Sequence, residues 1–294
     1  MTQPTERLAI VTPSFARDFD RCRELNESLA ACAPAGATHY VIVDGRDVPL
    51  FKRLENERTV VAAIEEVVPR GFFKLPFSKW WFSARALYPA KGWLVQQLAK
   101  LSAHRVFSER VQINVDSDVR FVRPFDASLF VRDGKTRLYR LPGGVRAGME
   151  HVRWHPRVCR LLGVTPDALP MDDYVGNVIS WDRAIVARAL DRVERITAMP
   201  WHVAFTRGRL VSEYLLYGLY VDKVSGPQGA GVWHDDRSWC HTYWGPAPLH
   251  ASAVEGFARA MLPDDIAISI AGYSGTPPEV TRAATTLALR LAAT

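Results

Sequence analysis

The stretch that decides the fold is Val111–Asp118, which reads VQINVDSD. Its first five residues form a short apolar, β-branched run, which predicts a buried strand. The strand leads directly into two aspartates separated by one serine, and a second short apolar run, Val119–Val122, follows. Because ligands of open α/β sheets bind beyond the carboxyl ends of the strands, this junction predicts a ligand site.

Strands and helices alternate on the N-terminal side of this stretch. Leu8–Thr12 (LAIVT) and His39–Val43 (HYVIV) predict two further buried strands, and Val60–Val68 is expected to contain a third. Between the first two, apolar residues recur at three- and four-residue steps, which predicts one face of an amphipathic helix. These residues are Phe19, Cys22, Leu25, Leu29 and Cys32. The β-α-β order with short connections predicts a parallel sheet with right-handed crossovers.

Further elements are expected after Gly92. We predict a helix with Leu94, Leu98 and Leu101 inward, a strand at Val175–Ser180 and a helix capped by Asp182. Another helix is expected at Val211–Tyr220, a loop at Gly226–Pro248 and two closing helices at about 250–294. The predicted fold is therefore α/β and Rossmann-like, with a mostly parallel central sheet flanked by helices and a helical C-terminal tail. We expect one domain over residues 1–294.

Composition excludes several classes of protein. Apolar residues make up 48% of the 294 residues, enough for a sizeable core, and charged residues make up 23%. The net charge of +6 favours anionic small molecules, but the basic residues are too evenly spread for a nucleic-acid groove. No apolar run approaches the length of a membrane span, the N-terminal residues lack signal-peptide features and the four cysteines form no paired motif. These features predict a cytoplasmic protein, with membrane contact only as peripheral attachment at the inner face.

The acidic pair has a specific chemical use. Two carboxylates two residues apart at a strand end can reach one hard cation, and Mg²⁺ or Mn²⁺ prefers oxygen ligands with phosphates as partners. Such an ion would neutralise a departing diphosphate as a Lewis acid. The alternative for Asp116-Ser117-Asp118 is a solvated turn after a strand.

The chain resembles the GT-A glycosyltransferases and, more narrowly, a family of uncharacterised bacterial glycosyltransferase-like proteins. The resemblance covers residues 7–245, the expected catalytic core. It rests on Ala9–Ser14 (AIVTPS), Val41–Gly45 (VIVDG), Gly92–Leu101 (GWLVQQLAKL), Asn114–Arg120 (NVDSDVR), Gly176–Trp181 (GNVISW) and Ser212–Gly218 (SEYLLYG).

The resemblance implies sugar transfer from a nucleotide-diphosphate sugar to a carbohydrate or small-molecule acceptor, with Mn²⁺ or Mg²⁺. Asp116 and Asp118 would bind the ion, and Asp116 and Ser117 would also contact the nucleotide. The remaining donor-binding residues would be Thr12, Pro13, Ser14, Asp44, Gln97 and Lys100. For Asp44 a simple turn is an equal alternative, and for Gln97 and Lys100 the alternative is a solvated helix face.

The resemblance also implies residues on the acceptor side. Glu213 holds the place of the acceptor-side acid, which in inverting enzymes of this kind is the general base, so inverting transfer is expected. The alternatives are an exposed helical glutamate, or an acid that only orients the acceptor and leaves retention open. Asp172 and Asp173 are its rivals, because they precede the loop at Gly176. A late histidine often completes the metal site in this class. Here the candidate is His234, with His241 as the second choice.

The segment 69–90 combines aromatic and basic residues and has three interpretations. It can pack as part of the core, form a sugar-stacking wall for the acceptor, or contact a membrane surface.

Other functions are weighed against glycosyl transfer. A nucleotidyltransferase or a dinucleotide dehydrogenase usually carries a glycine-rich loop after the first strand, whereas this chain has Thr12–Arg17 (TPSFAR). Hydrolase motifs such as GxSxG and HExxH are absent from the sequence. The non-enzyme alternative is a catalytically inactive protein that binds sugar nucleotides.

Overall fold

A computed structural model describes residues 6–74, 81–83, 92–208 and 210–293. The strands in this part of the chain are β1 (Leu8–Pro13), β2 (Ala37–Val43), β3 (Thr59–Ala63), β4 (Phe72–Lys74), β5 (Trp81–Ser83), β6 (Val111–Asn114), β7 (Val119–Phe121), β8 (Val131–Arg132), β9 (Lys135–Tyr139), β10 (Leu141–Val145), β11 (Met171–Asp173), β12 (Ile179–Asp182), β13 (Val232–Asp235), β14 (Cys240–Tyr243) and β15 (Ala267–Ile270). The α-helices are α1 (Phe19–Cys32), α2 (Val48–Phe51), α3 (Ile64–Val67), α4 (Gly92–Ser102), α5 (His151–Leu162), α6 (Arg183–Thr197), α7 (Trp201–Thr206), α8 (Glu213–Tyr220), α9 (Pro227–Ala230), α10 (Val254–Arg259) and α11 (Pro278–Ala292).

The central sheet has five strands in the order β12–β6–β1–β2–β3. Four of them run parallel, with Leu8 of β1 opposite both Ala37 of β2 and Val111 of β6. Only β12, at one edge, is antiparallel to its neighbour β6. The predicted α/β class with a mostly parallel central sheet is therefore confirmed.

Both faces of this sheet are covered by helices, as a parallel sheet requires. Alternate residues of β1 point to opposite faces: Leu8 and Ile10 pack in a cluster with α1, while Ala9 and Val11 pack in a cluster with α4 to α8. Because both faces are buried, the strands read as continuous apolar runs rather than as alternating patterns.

The predicted helices α1, α4 and α6 are confirmed. The buried residues of α6 are Ile185, Val186, Ala189, Leu190 and Val193. In this helix the Asp182 carboxylate accepts hydrogen bonds from the backbone N–H groups of Ala184 and Ile185. This side-chain cap satisfies donors that have no partner within the helix.

Two predicted strands have different bounds. The strand expected at Val60–Val68 ends at Ala63 and is followed by the single turn α3. The strand expected at Val175–Ser180 is instead β12, which begins at Ile179. Val178 adopts a positive φ of 60°, which a β-branched residue rarely does and which interrupts extended backbone.

The C-terminal quarter contains more sheet than predicted. The expected loop at Gly226–Pro248 includes β13, which pairs with β9, and β14, which pairs with β15. The expected helical tail has helices α10 and α11, but β15 lies between them and also pairs with β7, just after the acidic pair. The tail is therefore partly strand, and it reaches the candidate site.

Most of the aromatic-basic segment 69–90 lies outside the described residues, namely 75–80 and 84–90. Within it, β4 and β5 form an antiparallel pair. The three interpretations of this segment, membrane contact included, therefore stay predictions. Among the described residues, no helix combines the length and the apolar character that crossing a membrane would need.

Candidate active site

Asp116 lies where two cavities meet at the carboxyl edge of the central sheet. A smaller cavity of about 470 Å³ and a larger one of about 890 Å³ share Gln96, Asp116 and Tyr273 in their walls. The Asp116 side chain is 49% exposed, so its carboxylate is accessible. The predicted ligand site beyond β6 therefore coincides with an open pair of cavities.

Lys100 forms an ion pair with the Asp116 carboxylate. Its ammonium group lies 2.9 Å from Asp116 Oδ1 and 3.4 Å from Glu213 Oε1, and it donates a hydrogen bond of 2.9 Å to the Tyr214 hydroxyl. Burial disfavours the charged lysine, but Asp116, Tyr214 and Glu213 outweigh it and raise the pKa of Lys100 well above its usual value. Lys100 is thus a fixed positive charge beneath the site.

Gln97 and Glu213 are buried next to Lys100, and we call these three residues the floor of the site. Gln97 Oε1 accepts a hydrogen bond of 3.1 Å from the backbone N–H of Glu213, at the start of α8. Burial raises the pKa of the Glu213 carboxyl against the attraction of Lys100. The alternative of a solvated helix face is wrong for Gln97 and Lys100, because both are buried. They line the smaller cavity together with Glu213.

Asp118 is fixed by the C-terminal segment. Its Oδ1 accepts a hydrogen bond of 3.2 Å from the Ser269 hydroxyl, and its Oδ2 accepts one of 2.8 Å from the Gly272 N–H. Burial, together with the negative charge of Asp116, raises the pKa of Asp118 to about 6 in spite of these two donors. Asp118 and Ser117 line the larger cavity.

Three donor-binding residues are expected at the end of β1 and directly after it. Of these three, Pro13 lines the larger cavity. Thr12 is fully buried, its hydroxyl lies 3.0 Å from His39 Nε2, and it does not line either cavity, so its contact with a donor stays a prediction. Ser14 is buried as well, beside the Cys22 thiol.

Asp44 is engaged by two cations. Burial works against its ionisation, but hydrogen bonds from Arg46 and Lys74 dominate and lower the pKa of Asp44 to about 2. It does not line either of the two cavities. The structure therefore does not bring Asp44 together with the acidic pair.

The two other candidate acids also have partners. Asp172 accepts hydrogen bonds from Arg140 Nε (2.6 Å) and from the Gly143 N–H (3.1 Å). Asp173 lies 3.0 Å from Nδ1 of His151, and it is the His151 ring that lines the smaller cavity. Asp173 thus reaches the cavity only through a histidine.

The predicted third metal ligand is not at the site. His234 Nε2 lies 2.7 Å from Asp222 Oδ1, and His241 Nε2 lies 2.9 Å from the Phe257 carbonyl oxygen. Neither histidine lines the two cavities around Asp116. In the part of the chain that the structure describes, no three His, Cys, Asp or Glu side chains are grouped as a metal site. The set Asp116, Asp118 and His234 is therefore not assembled.

Several cavity residues were not predicted from the sequence. Exposed aromatic side chains lie in the walls: Phe15 in the larger cavity, Trp93 and Trp244 in the smaller one, and Tyr273 in both. His151 and Trp154 also line the smaller cavity. Their spacing at i and i+3 on α5 is the one local signal that pairs them, because it places both on one helix face.

Comparison with solved structures defines the class of fold. A crystal structure of an active-site mutant of LgtC, a GT-A glycosyltransferase, matches with a TM-score of 0.50 and 14% identity, covering 95% of this chain and 95% of that one. This likeness shows that the chain has the GT-A fold.

The chain belongs to the family described as "Family of unknown function (DUF6492)", whose profile matches residues 5–227. Comparison with curated proteins finds no match.

Proposed function

We propose that the protein is a metal-dependent glycosyltransferase that moves a sugar from a nucleotide-diphosphate sugar to a carbohydrate or small-molecule acceptor. The observation that carries the proposal is the position of Asp116. This accessible carboxylate lies beyond the carboxyl end of β6 in a GT-A fold, between two cavities that offer separate places for donor and acceptor. A turn that served only to connect strands would not need a buried lysine beneath it.

The residues present fit a divalent cation. Mg²⁺ and Mn²⁺ are held in many enzymes by one or two carboxylates, with phosphate oxygens and waters as the other ligands. Asp116 and Asp118 would supply the carboxylates. The raised pKa of Asp118, caused by burial and by Asp116, supports a pair of acids that a cation would stabilise. When bound, the ion would supply charge stabilisation for the departing diphosphate.

The larger cavity suits the nucleotide part of the donor. Pro13 and the exposed Phe15 offer an apolar wall for the nucleoside, next to Asp116 and Ser117. Arg17 and Arg282 line the same cavity, and neither forms an ion pair within the described residues. Both guanidinium groups are therefore available for phosphate oxygens.

The test is calorimetric binding of a panel of nucleoside diphosphates, with and without Mn²⁺, to the wild type and to Asp118→Ala. We expect one diphosphate to bind only with the metal, and the variant to lose affinity by on the order of 100-fold, as losses around metal sites typically do. Asp236→Asn, at an exposed strand end away from both cavities, serves as the matched control and should bind normally.

The outcomes separate the competing functions. Binding that is indifferent to metal and to Asp118→Ala would contradict the metal site. Metal-dependent binding without any hydrolysis of the matching sugar nucleotide would favour an inactive binding protein. Release of diphosphate from a nucleoside triphosphate in the presence of a sugar phosphate would favour a nucleotidyltransferase.

A further inference from the structure

His151 and Asp173 form a hydrogen-bonded pair beside the acidic site. Asp173, at the end of β11, is 9% exposed, and its Oδ1 accepts a hydrogen bond of 3.0 Å from the Val175 N–H. Its Oδ2 lies 3.0 Å from Nδ1 of His151, the first residue of α5. A carboxylate that binds Nδ1–H fixes the tautomer in which Nε2 accepts a proton.

The second ring nitrogen of His151 is available. Nε2 has no hydrogen-bond partner among the described residues, and the ring is 25% exposed where it lines the smaller cavity. The charged groups around it are Asp173 behind the ring, and Glu150, Asp116, Glu213 and Lys100 in the same cavity wall.

An aromatic wall continues from the His151 ring. This ring stacks on Trp154 at 4.6 Å between centroids, and the Trp154 ring lies 5.6 Å from that of Trp93. Trp93 is 47% exposed at the cavity mouth. The wall therefore presents flat apolar faces next to a hydrogen-bonding nitrogen.

Two buried donors in the same cavity have no partner among the described residues. Within that part of the chain, Trp154 Nε1 and Gln97 Nε2 make no hydrogen bond, although Trp154 is 8% exposed and Gln97 is 1% exposed. Buried polar groups are nearly always paired, so each unpaired donor calls for an acceptor. A molecule with apolar C–H faces and several hydroxyl oxygens satisfies both the wall and the donors, and this describes a carbohydrate.

We propose that the smaller cavity is the acceptor subsite for a carbohydrate and that His151, oriented by Asp173, takes the proton of the attacking hydroxyl. The inference rests on the proposed glycosyltransferase function. The acceptor oxygen forms a bond to the anomeric carbon while its proton passes to His151 Nε2. The bond from that carbon to the diphosphate oxygen breaks, and the diphosphate leaves with the electron pair. Attack from the side opposite the diphosphate inverts the anomeric centre.

In this assignment the general base is His151 and not Glu213, which is the base that the sequence predicts. Its carboxyl is buried and engaged with Lys100, which also holds Asp116. Glu213 is therefore a positioning residue for Lys100. His151, by contrast, lines the cavity where an acceptor would lie, and its Nε2 has no hydrogen-bond partner among the described residues.

The test uses the 294-residue chain with Mn²⁺ and the sugar nucleotide whose diphosphate it binds. Donor hydrolysis is measured with water alone, and transfer is measured with methyl glycosides as acceptors. His151→Ala is expected to lower kcat by about 10²- to 10⁴-fold, the usual contribution of a general base. Added imidazole should raise the kcat of His151→Ala by at least about tenfold, because it can enter the space that the missing ring leaves. Asp173→Asn should lower kcat with little change in KM.

A second variant tests the aromatic wall. Trp93→Ala should raise KM for the glycoside acceptor by about fivefold, because aromatic stacking is worth about 1 kcal/mol. Leu262→Ala, an exposed apolar residue outside both cavities, is the control.

Nucleoside diphosphate affinity separates the possible failures. Suppose that His151→Ala binds the diphosphate normally. If this variant also keeps the wild-type kcat, or if imidazole does not raise its kcat, the base assignment is overturned and the transferase function stands. If the wild type binds no nucleoside diphosphate, the transferase function and this inference fall together.

Discussion

Asp116 and Asp118 are two residues apart, yet their surroundings give them different parts. The Asp116 side chain is half exposed and faces Lys100, whereas both carboxylate oxygens of Asp118 accept hydrogen bonds, from Ser269 and Gly272. An accessible acid and a fully hydrogen-bonded one at the same strand end suit a site that must admit a ligand without losing its shape. The difference arises because β7 turns Asp118 towards β15, while Asp116 stays at the cavity junction.

His39 offers a test of stability at the residue scale. It is 3% exposed between Asn26 Oδ1 (2.8 Å) and Thr12 Oγ1 (3.0 Å), and burial lowers the pKa of His39 to about 3. The unfolded chain takes up this proton near its ordinary pKa of about 6.5, whereas the folded chain does not. The associated stability is complete above that value and is lost as the pH falls from about 6.5 towards 3.

We expect this group to lower the free energy of unfolding by about 2 kcal/mol between pH 7.5 and pH 5. Urea unfolding at both pH values measures the difference. His39→Gln should lack this part of the pH dependence, while His250→Gln, at an exposed position, should keep it. An identical pH dependence in His39→Gln and the wild type would contradict the assignment.

At the scale of elements, α8 supports the floor of the site through close packing. It begins at Glu213, with the Ser212 hydroxyl as its cap, and it packs closely against Tyr174. A Cβ atom added at Gly218 would lie 2.2 Å from a ring carbon of Tyr174, so glycine is required there by proximity. The helix can therefore approach β11 and hold Glu213 next to Lys100.

Gly218→Ala and Gly256→Ala should change stability in opposite directions. Both glycines lie inside helices, where alanine is favoured by up to about 1 kcal/mol. At Gly256 in α10 nothing lies within 4 Å of the added Cβ, so this variant should gain stability. Gly218→Ala should lose about 1–3 kcal/mol through overpacking. Thermal unfolding of both variants measures the signs, and a stabilised Gly218→Ala would contradict the packing argument.

At the scale of the whole molecule, the C-terminal segment completes the structure around the acidic pair. β15 lies between β14 and β7, and Ile266, Ala267, Ile268 and Ile270 are buried. Residues beyond the core expected at 7–245 therefore contribute both apolar contacts and the two hydrogen bonds to Asp118.

A chain that ends at Pro248 should lose cooperative unfolding and metal-dependent nucleotide binding. Removing β15 leaves β7 and β14 without their shared partner and exposes buried apolar surface, which costs about 25 cal/mol per Å². Differential scanning calorimetry and nucleotide titration measure the two effects. A chain shortened only by Ala293 and Thr294 should behave as the wild type, and wild-type unfolding of the longer deletion would contradict the argument.

The sequence alone determined the elements whose residues are patterned locally. The apolar runs of β1, β2 and β6, the helical spacing of α1, the Asp182 cap of α6 and the place of Asp116-Ser117-Asp118 at a strand end are all as predicted. These features depend on neighbours within a few residues, so the sequence predicts them.

Only the tertiary structure decided which distant side chains meet. Lys100 with Asp116, Asp173 with His151, Ser269 with Asp118 and Thr12 with His39 join residues from different elements. The same applies to β13, β14 and β15, which are short and gain their partners from far along the chain. Their backbone pairing and burial follow from the path of the whole chain, which no local pattern of residues records.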